Sequence, residues 1–477
     1  MATLLAALPV LSTILALIFG IRSLWAALLG VASAVLAIQI AFPVTLESFV
    51  TVAVRWAPIL TEVLLIVGGG LLLSELLRQA GGQAALASWV RDRAGRGVGA
   101  VLLVVHGITP FAESLTGFGI GVTIGIPLLL HFNLSARKVA LIGLLGLCAV
   151  PWGSMGPGTL IAATMSNVRF YDLGVASAVL SIVPFSATGI VAAWLASSRE
   201  ERPIAVFQGV LSGIVLTLSV LAANVLFGTA AAGALGALVV IGLRLSCWRQ
   251  GQPAAVLAGI GRRSLWSYVV LLGGVLVAGS LVRAIGLPEY WRYLASPALW
   301  LFIAAIWFSH GWPAPAAIQR AWTSWSNVAP VTGLFIGMGV LMAVSGMAAF
   351  LARALADAGK IYLAAAPFVG AMGGFITGSN SGANAMFATT QADIARSLGA
   401  DVLGFIAVHN VAAAFLLMAS PGKVEMAVQL SSIKASSQKR WIQTMILLVA
   451  FVVVALLAVI NTLLANALSG LLSHLTA

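Results

Sequence analysis

The chain has 477 residues, 61% of them hydrophobic and only 8% charged, with a mean hydropathy of +1.08 and a net charge of +12 from 25 Lys and Arg against 13 Asp and Glu. A soluble domain carries roughly a quarter charged residues, so this composition excludes one. The basic residues are dispersed over connections and not gathered on one face, which excludes a nucleic-acid surface.

Apolar runs near the ~20 residues that a bilayer core requires follow one another along the whole chain. They fall at 3–20, 23–41, 57–77, 99–130, 139–165, 173–197 and 204–227, then at 230–245, 265–287, 297–310, 328–351, 361–390, 401–422 and 442–466. The runs 99–130, 139–165 and 361–390 are interrupted by small and polar residues. The fold class expected is all-α and polytopic, with about 12–14 membrane elements. The first run lacks a basic leader and a small-residue cleavage site, so it reads as a retained span. Cys148 and Cys247 lie on separate apolar segments and form neither a disulfide framework nor a metal site.

Lys and Arg gather in cytoplasmic loops of membrane proteins. The basic connections hold Arg78, Arg91, Arg93 and Arg96; Arg137 and Lys138; Arg244, Arg249, Arg262 and Arg263; and Lys434, Lys439 and Arg440. Placing these inside puts both termini outside, at the cost of Arg283, Arg292, Arg353 and Lys360, which then also lie outside.

An ungapped self-alignment pairs Gly69 with Gly333, Ala94-Gly95 with Ala358-Gly359, Phe111 with Phe375, and Pro157-Gly158 with Pro421-Gly422. The charge rule gives the two copies opposite directions, as in an inverted repeat. The expected divisions are N-terminal spans over 1–56, a first copy over 57–172, and linking or scaffold helices over 173–327. A second copy over 328–440 and a C-terminal span over 441–477 follow. Each copy carries a segment broken at its middle, a re-entrant hairpin, and then a second broken segment ending in Pro-Gly.

Breaking four helices at membrane depth frees backbone groups that lipid cannot satisfy, so such breaks belong where protein, water or a ligand does so. Helix N-termini at the breaks offer N–H donors and the positive end of a dipole to an anion. Close packing by small residues accounts for isolated glycines, but less well for Ser379, Asn380, Asn384 and Asn410 in apolar surroundings. The expected ligand is therefore a small organic anion, met by Ser114, Thr116, Gly117, Phe118 and Gly119 at the first break and by Ser154, Met155 and Gly156 at the second. Ser379, Asn380, Ser381 and Asn384 meet it at the third break, and His409, Asn410, Ser420 and Lys423 around the fourth.

The stretch FAESLTGFG, Phe111–Gly119, resembles the F-L-E-G-A-A-G-F-G signature of the lactate permease family, and FITGSNSGANAMFATTQ, Phe375–Gln391, is similar to its F-L-T-G-S-[DN]-T-S-S-N-x-L-F-x-x-L-Q stretch. Gly153-Ser154-Met155-Gly156 matches as well, and Asn410 and Ser420-Pro421 resemble the family's run from A-A-N to I-S-P. The likeness covers 57–172 and 328–440. It implies cation-coupled, usually proton-coupled, uptake of lactate and related 2-hydroxy monocarboxylates, and kinship with transporters whose hairpin-bearing domain slides against a scaffold. The departures are Ser114-Leu115-Thr116 for Gly-Ala-Ala and Ser381-Gly382-Ala383 for Thr-Ser-Ser. The family's lysine before I-S-P is also missing, with Met418 near its place and Lys423 a turn later.

Among single residues, Glu113 stands out, because an ionisable group inside a span is costly unless it is paired, hydrated or protonated. Two roles are open to it: carrier of the coupling proton, or a carboxylate that fixes the hairpin through backbone amides. Lys423 either balances a bound carboxylate or reaches to an interface. His106 and His409 either relay a proton or sit hydrogen-bonded in the core. Glu62 and Glu75 flank the first span of the first copy, and Trp152 lies beside a break. No enzyme motif of the nucleophile-elbow, H-E-x-x-H or paired-aspartate kind is present, and neither a cofactor nor a metal is expected. A passive channel and a sodium-coupled transporter of a dicarboxylate or sulfonate are the rival functions, because freed carbonyls also suit sodium. The expected location is the plasma (inner) membrane, with lipid as the surrounding partner.

Overall fold

The computed structural model of the chain describes residues 1–95, 97–117, 119–246, 257, 259–285, 288–310 and 314–463. Every regular element among them is helical, the form in which a membrane segment satisfies its own backbone hydrogen bonds. Of the expected features, Phe118, Arg96, Arg249 and Cys247 lie outside the described residues.

The chain begins with α1 (Ala2–Ile18), α2 (Ser23–Ile40) and α3 (Leu46–Gln79). Thr45 caps α3, its hydroxyl accepting the Ser48 N–H at 3.2 Å. α4 (Gly82–Ala94) follows, then α5 (Val98–Leu103), a π-helical turn over Val104–Ile108, and α6 (Thr109–Thr116). Beyond a break come α7 (Ile120–Leu129) and α8 (Ala136–Leu145), and a kinked 3-10 stretch over Gly146–Met155 leads into α9 (Pro157–Ser166).

The middle of the chain holds α10 (Phe170–Leu180) and α11 (Ile182–Ala196), which meet at a bend of 40°, then α12 (Arg202–Phe227), α13 (Thr229–Ser246), α14 (Gly259–Ile285) and α15 (Pro297–Ser309). The last part is α16 (Pro315–Val344), α17 (Met347–Ala356), α18 (Lys360–Thr377), α19 (Asn380–Ser397) and α20 (Val402–Leu416). A 3-10 turn over Leu417–Ala419 precedes α21 (Pro421–Leu430), and α22 (Ser436–Leu463) follows it.

Eleven described helices are long and apolar enough to cross a bilayer, or twelve if α10 and α11 count as one span. Four shorter apolar helices accompany them: Ala2–Ile18, Ile120–Phe132, Pro297–Ser309 and Met347–Ala356. The larger expected number counted some of these short helices as spans of their own. The expected boundaries at 57, 328 and 441 fall inside α3, α16 and α22. Each of these helices carries polar residues in its opening turns, with Glu47 and Arg55, Gln319 and Arg320, and Lys439 and Arg440, so apolar content alone places its start too late.

The stretches α3 to α9 and α16 to α21 share several local features, although the first is divided into more elements. Gly81 (φ 74°) opens α4 as Gly346 (φ 78°) opens α17. Gly95 (φ 63°, ψ −147°) and Gly359 (φ 57°, ψ −135°) make the same left-handed turn after them. Pro157 and Pro421 each stand in the first turn of the helix after a break, where a missing N–H costs nothing. The helices pack through small residues. A Cβ on Gly374 would stand 1.9 Å from the Ala413 carbonyl oxygen, so α18 and α20 meet backbone to backbone there.

Candidate functional site

The four expected interruptions are all present, and each has a local cause. After α6 the chain turns through Gly117 (φ 71°) and Gly119 (φ 87°), values that a side chain rarely adopts. Before α9, Ser154, Met155 and Gly156 are left-handed in succession, at φ 52°, 64° and 84°. Two non-glycine residues held this way mark backbone that its surroundings must over-determine. Part of that support is Thr159, whose hydroxyl donates to the Pro151 carbonyl across the break at 2.6 Å. α18 ends at Gly378 (φ 62°), and Ser379 caps α19, its hydroxyl accepting the Gly382 N–H at 3.3 Å. The fourth break turns at Ser420, extended at φ −60° and ψ 146°, which bends the chain into α21 without capping it.

Glu113 is 4% exposed. Its carboxylate accepts the Gly119 N–H on both oxygens, at 2.9 and 3.1 Å, and the Gly121 N–H at 3.1 Å. The N-terminus of α7 is therefore filled by a carboxylate of the same chain. Of the two roles open to Glu113, this is the geometry of the second: its carboxylate fixes the turn between α6 and α7 through backbone amides.

A cavity of about 250 Å³ lies between the breaks. From the first part of the chain it is lined by Glu113, Gly117, Val150, Gly153, Ser154, Pro157 and Gly158, and from the last part by Thr377 to Gly382, Leu417 and Lys423. Ser23, Asn327, Val328, Val331, Thr332 and Phe335, from α2 and α16, close it on another side. Glu113 and Lys423 are its only charged side chains among the described residues. The Lys423 Nζ lies 2.8 Å from where a Cβ on Gly119 would stand, and makes no hydrogen bond or ion pair with the described residues. The Ser154 hydroxyl, 3% exposed, also has no partner. An ammonium, a free hydroxyl and the N-terminus of α19 thus face one small space, a set of donors suited to a carboxylate.

The structure brings Glu113, Gly117, Ser154, Ser379, Asn380, Ser381 and Lys423 to this cavity and leaves the other expected residues among those described off its wall. Gly119 and Gly156 shape the turns. Thr116 donates to the Ala112 carbonyl at 2.6 Å, and Met155 is buried among apolar side chains. Ser114, buried without a partner, faces Gly233 of α13. Ser420, also buried without a partner, lies beside Gly378. His409 is buried against Gly370, and neither of its ring nitrogens has a partner. His106 is hydrogen-bonded in the core, to Ser212 at 2.9 Å and Thr188 at 3.1 Å. Trp152 packs against Phe185 instead of the cavity. Glu62 accepts from Ser296 at 2.7 Å, and Glu75 pairs with Arg78 and Arg320.

Asn384 and Asn410 form a buried network that ties the breaks together. The Asn410 Oδ1 accepts from Asn380 at 3.0 Å and from Asn384 at 2.9 Å, while its Nδ2 donates to Thr159 and Ser177, both at 3.1 Å. Asn384 also donates to the Gly158 carbonyl at 3.0 Å. Thr159 and Ser177 carry no signal in the sequence, and neither do the cavity residues Ser23, Asn327 and Thr332, since single hydroxyls and amides in apolar helices are common. Thr377 could have been found, because it stands inside the Phe375–Gln391 stretch. Among the described residues no three His, Cys, Asp or Glu side chains gather as a metal site would require.

Residues 293–468 match the model of a family described as L-lactate permease. The L-lactate permease of Escherichia coli (strain K12) is 33% identical over 95 residues, which are 20% of this chain and 17% of that protein. The L-lactate permease of Salmonella typhi is 31% identical over 115 residues, 24% of this chain and 21% of the relative. The matched stretches span about a fifth of the length of these curated relatives.

Proposed function

The chain belongs to the L-lactate permease family, and from that premise we propose that it is a secondary transporter, not an enzyme, carrying L-lactate or a related small 2-hydroxy monocarboxylate across the plasma (inner) membrane together with a proton. The observation that carries this reading is the small cavity between the breaks, with the unpaired ammonium of Lys423, the free hydroxyl of Ser154 and the N-terminus of α19 turned into it. A carboxylate needs such donors. A 2-hydroxyl needs one further polar neighbour, which Ser154 or Asn380 supplies. The volume suits a three-carbon acid better than a long or bulky one.

Coupling has an energetic reason. Moving one negative charge into a negative-inside cell costs about 2.3 kcal/mol per 100 mV. One proton carried with the anion cancels that charge, and its own gradient adds drive.

The matched glycine turns and post-break prolines of α3 to α9 and α16 to α21 support an inverted repeat, in which each half contributes one hairpin and one broken span. The movement that fits is elevator-like: the hairpins and broken helices carry the cavity past α16, which forms its side wall. With the basic connections inside, both termini lie outside.

The test is uptake of labelled lactate into proteoliposomes with an imposed pH gradient in sodium-free buffer, with glycolate, acetate, succinate and short sulfonates as competitors. Accumulation against the lactate gradient, abolished by an uncoupler and blocked by glycolate, is expected. A strict sodium requirement, or competition by succinate alone, overturns the reading.

A further inference from the structure

We propose that the coupling proton resides on Lys423, so that substrate and proton load as a single ion pair. This inference rests on the transport reading above and assigns its coupling site. Two charged side chains line the cavity. One of them is already committed: the Glu113 carboxylate takes three hydrogen bonds from the N–H groups of Gly119 and Gly121. Those donors occupy its acceptor positions, so Glu113 is spent on the turn before α7. Lys423 makes no hydrogen bond or ion pair with the described residues, although the Glu113 charge acts on it across the cavity, so its proton is not tied to a protein acceptor.

The other charged groups on elements packed against α21 are engaged or point elsewhere. Glu425 pairs with Lys439, and Arg440 is exposed on α22. On α8, Arg137 stacks over Trp441 and Lys138 donates to the Leu195 carbonyl. α7 has no titratable side chain, and His131 just beyond it donates to the Pro127 carbonyl.

An ammonium removed from water is disfavoured, the Glu113 charge in the same cavity offsets only part of that cost, and a second carboxylate beside it offsets more. A carboxylate entering the cavity therefore raises the proton affinity of Lys423, and by linkage a proton on Lys423 raises the affinity for the carboxylate by the same factor. The proton goes from outside water to Nζ, and the anion binds the resulting ammonium. No net charge is added to the moving body. At the inner face the anion leaves, the proton follows into water, and the empty carrier returns with a neutral amine. The sign is fixed: anion affinity is full below the pKa of Lys423 in the loaded protein and falls as pH rises through it.

The experiment measures proton uptake by purified full-length protein in weakly buffered detergent solution on adding lactate, with a pH indicator, beside lactate counterflow in proteoliposomes. Wild type takes up about one proton per lactate bound. K423R, whose guanidinium stays charged, takes up no proton at lactate concentrations that saturate its own, weaker binding, and loses accumulation driven by a pH gradient. E113Q still takes up about one proton per lactate. If K423R does not fold, K423H replaces it, with the pH midpoint of proton uptake moved lower. Proton uptake that survives in K423R and vanishes in E113Q, or a midpoint unmoved in K423H, overturns the assignment while leaving the transporter in place. Failure of wild type to bind or exchange lactate overturns the transport reading itself.

Discussion

Removing the Glu113 side chain strands the Gly119 and Gly121 N–H groups in a buried turn. A buried donor left without a partner costs about 1–3 kcal/mol, so Glu113→Ala is expected to unfold at a clearly lower temperature than wild type in detergent. Equal melting of the two would mean that the amides find another acceptor. Ser154 predicts the opposite split. Its hydroxyl is buried and has no protein partner, so Ser154→Ala leaves thermal stability within error and weakens lactate binding about tenfold, or ~1.4 kcal/mol. Calorimetric binding and a melting curve on the same sample check both halves. A stability loss with unchanged affinity would make Ser154 a structural residue.

At the scale of elements, the four breaks depend on close backbone approaches. A Cβ on Gly158 would stand 2.7 Å from the Asn380 Nδ2 and 3.1 Å from its Cβ, where α9 meets the N-terminus of α19. Gly158→Ala therefore forces these helices apart at the cavity wall, and uptake should fall at least about tenfold in protein that still purifies as one species. Uptake at the wild-type rate would show that the two helices have slack there. Asn410 is the hub of the network that joins α9, α10 and α19. Asn410→Leu removes four hydrogen bonds at once and strands their partners, a loss of about 3 kcal/mol or more. A melting temperature close to wild type would show the network to be dispensable.

At the scale of the whole molecule, the cavity has walls of two kinds: the broken segments, and α2 with α16. If the broken segments move past α16 during transport, a bridge across the cavity stops the cycle. With Cys148 and Cys247 replaced by serine, the pair Thr332→Cys and Ser381→Cys treated with mercuric ion is expected to lose uptake and to regain it with a thiol reagent. Full uptake while bridged would exclude relative motion of these two walls.

Much of the site was legible beforehand. Charged or hydrogen-bonding residues inside apolar runs are costly, so Glu113, Ser379, Asn380 and Asn384 stood out against their surroundings, and clustered glycines with Pro157 and Pro421 marked where helices stop. The placement of Glu113 at a break was legible too, but not which of its two roles the geometry would match, since that depended on whether the N–H groups six and eight residues later turn back to meet it. His409 and Asn410 look equally suited to a ligand in sequence, and the fold turns one into an unpartnered core group and the other into a network hub. Start points of α3, α16 and α22 were misplaced because hydropathy falls at polar residues in the opening turns while the helix continues.

Hydropathy and its interruptions by themselves determined that the chain is helical, crosses the membrane many times and breaks its helices at four points, because lipid sets strict terms for every apolar run and every unpaired amide. Only the tertiary structure decided which polar groups are spent on the fold and which are left for a ligand. Glu113 is consumed by the N-terminus of α7 and Asn410 by its neighbours, while Lys423 and Ser154 are left unpaired in one small cavity. The physical reason is that hydrogen bonds between segments far apart in the chain are settled by packing, and no local pattern records them.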